Sequence, residues 1–147
     1  MTPRNEMKVR LSQRVPLLRV QTPMETYFID TDRRVMQARA SVQEKVLTVT
    51  GNVGVQMASK SLADFAIWLQ EEDYWRGRIH HLYIQNPQMV YLYLQKENQP
   101  RVVLGQMRGY EEKLSKLRTF LEQGEDVLKE KNYTELDVRY RGQVVAR

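Results

Sequence analysis

The chain has 147 residues, 41% hydrophobic and 28% charged, a balance that suits one folded domain with a sizeable core and excludes global disorder. Its net charge of +5 permits attraction to nucleic acid or to an anionic membrane surface, yet 23 basic residues are offset by 18 acidic ones and no Lys/Arg block stands out. The absence of cysteine excludes disulfides, thiolate nucleophiles and cysteine-based metal sites. No run approaches the about 20 apolar residues of a membrane span and the first residues lack a signal-peptide core, so the chain reads as cytosolic or as the soluble part of a longer protein.

Lys8 to Val15 alternates Val9 and Leu11 with Arg10 and Ser12, predicting a strand stopped by Pro16, with Leu17 to Val20 extended again. Thr26 to Ile29 and Val35 to Met36 flank Asp30, Thr31, Asp32 and Arg33, a polar tetrapeptide suited to a hairpin turn. Val46 to Thr50 is a β-branched strand ended by Gly51 and Asn52. Ser61 is the expected cap of a helix carrying Leu62, Phe65, Ala66 and Leu69 on one face, fraying near Glu72 to Arg76.

Ile79 to Gln85, Met89 to Leu94 and Arg101 to Leu104 predict three strands in an antiparallel meander, separated by Asn86-Pro87-Gln88 and by Lys96 to Pro100. Tyr110, Leu114, Leu117 and Leu121 mark a second amphipathic helix, with Lys113, Lys116 and Arg118 assigned to its outer face and Gly124 as a possible interruption. Leu136, Val138 and Tyr140 then alternate with Asp137, Arg139 and Arg141 until Gly142 breaks the run and Gln143 to Ala146 resumes. This predicts a hairpin turning near Arg141 and Gly142 and ending at a sheet edge, where unpaired backbone groups accept another strand. The expected class is α+β, a mostly antiparallel sheet with two amphipathic helices.

No sequence pattern assembles a catalytic site. His80 and His81 are adjacent in a strand and point to opposite faces, which disfavours a shared metal. Asp30 and Asp32 fit turn formation better than a cation site. Trp68, Tyr74 and Trp75 lie beside Arg76 and Arg78, a basic aromatic cluster able to stack on single-stranded nucleic acid or, more simply, to pack at a helix end. Binding of single-stranded nucleic acid is therefore kept as the alternative reading.

Four stretches carry a family resemblance: M-K-V-R-L-S-Q-R-V-P-L-L-R-V at Met7 to Val20, Y-F-I-D-T-D-R-R-V-M at Tyr27 to Met36, V-V-L-G with its following helix at Val102 to Leu121, and L-D-V-R-Y-R-G-Q-V-V-A-R at Leu136 to Arg147. In this order they resemble the extracytoplasmic part of the bacterial cell division proteins FtsQ and DivIB, in the form found in Bacteroidota. The first looks like the closing strand of the POTRA domain, the second like the hairpin that opens the β domain, the last like its terminal signature. Arg33 stands where many members place a glycine. The resemblance implies residues 1–20 as a POTRA remnant and 21–147 as an FtsQ-type β domain, a fragment of a longer protein whose membrane helix and cytoplasmic tail lie upstream.

The same resemblance implies a scaffold at the periplasmic face of the inner membrane, with no catalysis, cofactor, metal, small-molecule substrate or nucleic acid. Its partners are the FtsB (DivIC) and FtsL division proteins, through which the family links early to late division proteins and restrains septal wall synthesis. The partner adds a strand to the terminal edge. On this chain the implied surface is Arg139, Tyr140, Arg141 and Gly142 with the final strand Gln143, Val144, Val145, Ala146 and Arg147. Tyr140 is the expected anchor, and Arg139, Arg141 and Arg147 are expected to face acidic partner residues. Sequence leaves open which of Val144 and Val145 points its N–H outward.

Overall fold

Period-two alternation becomes strand in the computed structural model, which describes residues 15–37, 46–94 and 99–147, with backbone alone for 125–131. Apart from Val15, the strand expected from Lys8 to Val15 lies outside the described residues. Strands β1 (Pro16–Gln21), β2 (Thr26–Asp30), β3 (Val35–Gln37), β4 (Leu47–Gly51), β5 (Ile79–Asn86), β6 (Met89–Leu94), β7 (Arg101–Gly105), β8 (Glu135–Asp137) and β9 (Val145–Ala146) form one sheet, ordered β3-β2-β1-β4-β5-β6-β7-β8-β9. The helices are α1 (Val55–Met57), continued by a π-helical turn (Ala58–Leu62) into α2 (Ala63–Glu71), and α3 (Tyr110–Lys131). The class is α+β, as expected.

The sheet is mixed rather than purely antiparallel. The meander β5, β6 and β7 is antiparallel, whereas β1–β4, β4–β5 and β7–β8 pair in parallel. A parallel neighbour needs a crossover, and helices supply it for two of these pairs: the α1–α2 run joins β4 to β5, and α3 joins β7 to β8. The division expected between residues 20 and 21 falls inside β1, which pairs with β2 on one side and β4 on the other.

Turn chemistry explains the first hairpin. Asp30 is buried, and its Oδ1 accepts the N–H groups of Asp32 (2.9 Å) and Arg34 (2.8 Å), which closes the turn. Arg33 takes the left-handed backbone conformation at φ 66°, the geometry for which glycine is the usual residue. Its guanidinium pairs with Asp64 and donates to the Lys60 carbonyl, tying the hairpin to the helix.

Ser61 does not cap its helix, which begins six residues earlier after Gly54. Buried Ala58 and Leu62 hold this earlier turn on the core, and the Ser61 hydroxyl instead donates back to the Met57 carbonyl inside the π turn. Nor does Gly124 interrupt α3, which runs through it. Terminal alternation stops early: β8 ends at Asp137, so Val138 is buried but Tyr140 is exposed.

Both helices cover one face. Phe65, Leu69, Leu114, Leu117 and Leu121 join Val20, Val49, Leu82, Leu92, Leu104 and Leu136 in one core, and Tyr110 bridges α3 to α2 by edge contacts with Phe65 and Trp68. The opposite face, free of helix among the described residues, carries Arg19, Phe28, Thr50, His81, Tyr83, Tyr91, Tyr93, Arg101 and Glu135. Cross-strand register puts them there, with Arg19 opposite Phe28, His81 opposite Tyr93 and Arg101 opposite Glu135.

Gly51 ends β4 at φ 103°, and a Cβ there would lie 2.3 Å from the Ile84 carbonyl oxygen of β5. Gly51→Ala combines backbone strain with a clash against main chain and should cost about 3 kcal/mol in urea unfolding. Gly54→Ala, where a Cβ meets nothing within 4 Å, should change stability by less than about 1 kcal/mol. Equal unfolding midpoints for the two variants would contradict this account.

Candidate functional site

The terminal edge is assembled on β8. Glu135 and Arg147 exchange backbone hydrogen bonds, Arg147 N–H donating at 2.9 Å and Glu135 N–H at 3.1 Å. They form a hydrogen-bonded antiparallel pair, so alternation makes Leu136–Ala146 a non-hydrogen-bonded pair and Asp137–Val145 a hydrogen-bonded one. The N–H and carbonyl of Ala146 therefore point away from β8, off the end of the sheet. Val144, the residue before β9, packs its side chain against the core as Ala146 does. Val145 points its N–H inward, which resolves the choice left open by sequence. The regular strand is shorter than expected, Val145–Ala146 alone, because residues 138–144 are taken up by a loop with Gly142 at φ 73°.

Side-chain charges lock this edge in place. Asp137 has no exposed surface, yet its carboxylate accepts Arg139 Nε at 2.9 Å, the second Arg139 nitrogen at 2.6 Å and Arg147 Nη1 at 3.1 Å. Glu135 accepts Arg101 Nε at 3.0 Å and reaches Arg147 at 3.5 Å. The Arg101 guanidinium also lies 4.2 Å from the centre of the Tyr91 ring. The result is a row of alternating charges: Arg101, Glu135, Arg147, Asp137, Arg139. Gly105, at φ 78°, leaves room for the Arg139 stem, which a Cβ would meet at 3.0 Å. Burial pushes the Asp137 carboxyl up, but hydrogen bonds from Arg139 and Arg147 outweigh it and hold the group below its ordinary range.

The structure brings all nine expected edge residues, Arg139 to Arg147, into one stretch, but in different roles. Arg139 and Arg147 are committed to carboxylates of their own chain. Arg141 is an exposed cation of the loop, and Tyr140 is 42% exposed, its ring 5.8 Å from the Arg139 guanidinium. Val144 and Ala146 turn their side chains toward the core, while Val145 shares the helix-free face with Asp137. A shallow groove of about 340 Å³ runs beside the strand, lined by Thr119 and Phe120 of α3 and by Gln143 and Val144.

Lys116 was missed. Helical periodicity assigned it to the solvent face, whereas its long stem bends back and its ammonium donates to the carbonyls of Val138 (3.1 Å), Tyr140 and Gln143 (3.4 Å). One turn earlier, Lys113 donates to the carbonyls of Leu104 (2.9 Å) and Gln106 (3.1 Å). The only sequence signal is the pair of lysines three apart at the start of the helix.

The other candidates are used in packing. Trp75 is buried, Trp68 packs edge-on to Tyr110, and Tyr74 lies between the guanidinium groups of Arg78 and Arg118 at 4.2 and 4.5 Å. The His81 Nε2 lies 2.8 Å from the Thr50 hydroxyl and its ring stacks on Tyr93, while His80 is exposed. Among the described residues no group of three His, Cys, Asp or Glu side chains is placed to hold a metal.

Residues 15–147 match the profile of the family described as FtsQ/DivIB, C-terminal related. No curated protein gives a significant match.

Because the folded-state pKa of Asp137 is depressed, its stabilising contribution is present above the ordinary carboxylate value of about 4 and is lost as pH falls through the lower folded value. Asp137→Asn should lower stability at pH 7 by about 2 kcal/mol, because two arginines lose their carboxylate. The variant should also lose less stability than the parent on acidification below about pH 4. Thermal melts from pH 7 to pH 2 measure both, and parallel pH profiles for the two proteins would show that Asp137 carries no linked proton.

Proposed function

Since this chain belongs to the FtsQ/DivIB C-terminal related family, and is thus a cell division protein, we propose that it captures FtsB/DivIC-type and FtsL-type partners by strand addition along β9. The supporting observation is the edge itself: β9 ends the sheet, and the Ala146 N–H and carbonyl point away from it. Main-chain hydrogen bonds hold the incoming strand. Flanking side chains select it, with exposed Tyr140 as the aromatic anchor and Arg141 toward acidic partner residues. Arg139 and Arg147 act indirectly, by holding β9 on β8.

On this reading the protein is a non-enzymatic scaffold of the division complex, working at the periplasmic face of the inner membrane and restraining septal wall synthesis through its partners. Among the described residues no helix is long and apolar enough to cross a membrane.

Proline discriminates outward from inward amides because it lacks the N–H and still fits an edge strand. Ala146→Pro and Val144→Pro should abolish capture of a purified FtsB/DivIC-type ectodomain in titration calorimetry while leaving the melting temperature within a few degrees. Val145→Pro removes an internal hydrogen bond to Asp137 and should mainly destabilise the fold. Tyr140→Ala should weaken capture by about 2 kcal/mol. Wild-type affinity in folded Ala146→Pro and Val144→Pro would remove β9 from the interface.

A further inference from the structure

The loop between β8 and β9 has an unusual support. Residues 138–144 lie outside strand and helix, so their carbonyls lack ladder partners. Three of them, from Val138, Tyr140 and Gln143, converge on the ammonium of Lys116. An ammonium has three N–H groups, and here one carbonyl can meet each. Lys116 precedes fully buried Leu117 on α3 and is itself half-buried, so the base of its stem lies at the margin of the core.

We infer that Lys116 is a positioning residue for partner capture: from α3 it clamps the 138–143 loop and so holds β9 ready for the incoming strand. This rests on the strand-addition reading above, but its geometry is independent of it. The loop bears Tyr140 and Arg141 and leads directly into β9, whose regular strand is two residues long. So short a strand fixes little by itself. With the clamp in place, the ordering of the loop precedes binding; without it, the same ordering opposes binding. Lys116 touches no partner in this scheme, since its ammonium is already engaged by the chain's own carbonyls.

The test uses the whole chain. Two variants are read, Lys116→Met and Lys116→Gln, so that loss of folding in one leaves the other to decide. Lys116→Arg retains the charge and donors. Arg118→Met removes a positive charge from the same helix outside the clamp, where Arg118 bonds Glu122 at 2.9 Å. Limited trypsin digestion, followed by mass spectrometry, reports cleavage after Arg139 and Arg141. Titration with the purified FtsB/DivIC-type ectodomain reports capture.

Lys116→Met and Lys116→Gln should speed cleavage in the loop and weaken capture about tenfold, Lys116→Arg should restore much of both, and Arg118→Met should change neither. Unchanged cleavage in folded Lys116→Met and Lys116→Gln overturns the clamp whatever the partner does. Faster cleavage with wild-type capture, while Ala146→Pro still abolishes capture, overturns the positioning role and leaves strand addition standing. Equal weakening by Arg118→Met also overturns it, because net charge then explains the effect. If Ala146→Pro captures the partner normally, the strand-addition reading fails, and the docking role of Lys116 fails with it.

Discussion

The parallel pairing of β7 with β8 is the constraint on which the terminal edge of the molecule depends. Parallel neighbours cannot be joined by a tight turn, so the chain must leave the sheet at Gly105, cross over as α3 and return at Glu135. That crossover covers the core face with Leu114, Leu117 and Leu121. It also places β8, and beyond it β9, at the last positions of the sheet. An edge at this point is thus a product of topology, and the helix that creates it also reaches over to support it.

Two kinds of charge contact then hold the edge from its two faces. On the helix-free face, Asp137 and Glu135 interleave with Arg101, Arg139 and Arg147. On the helix face, Lys113 donates to the carbonyls of Leu104 and Gln106 at the end of β7, and Lys116 donates to carbonyls of the loop between β8 and β9. Exposed ion pairs are worth little, but a carboxylate with no accessible surface and two guanidinium partners is a stronger tie, since separating it strands a buried charge. A two-residue strand needs this help. Its backbone ladder alone would not keep it in register against a solvent-facing edge.

A surface for strand addition must be ordered without being satisfied, and the two requirements compete. The arrangement separates them by atom: the carboxylates of β8 pair with Arg101, Arg139 and Arg147, and Lys116 of α3 bonds carbonyls of the loop, while the outward N–H and carbonyl of Ala146 are directed off the sheet. The chain belongs to a family of cell division proteins, and the strand edge is the feature on which the proposed partner capture rests. At the other end of the sheet the β2–β3 hairpin is tied back by Arg33, which contacts Asp64 and the Lys60 carbonyl.

Sequence by itself determined the local elements and the family. Apolar runs bounded by turn residues located β2, β5, β6 and β7, the Leu114–Leu117–Leu121 stripe located α3, and the order of four short stretches identified the FtsQ/DivIB resemblance that the match over residues 15–147 bears out. These signals are local: each arises from one segment meeting water on one side and core on the other. What tertiary structure decided was everything that depends on a neighbour. The parallel pairings of β4 with β5 and of β7 with β8 follow from where the helices cross, and Ser61 lies inside its helix because buried Ala58 and Leu62 start the turn earlier. Tyr140 leaves the core pattern because β8 ends at Asp137, where the carboxylate turns to Arg139 and Arg147. Which amide of β9 points outward was fixed by the pairing of Glu135 with Arg147, and the role of Lys116 by carbonyls at least 22 residues away along the chain. A side chain's periodicity reports only its starting direction from the backbone, and a flexible lysine is free to end elsewhere.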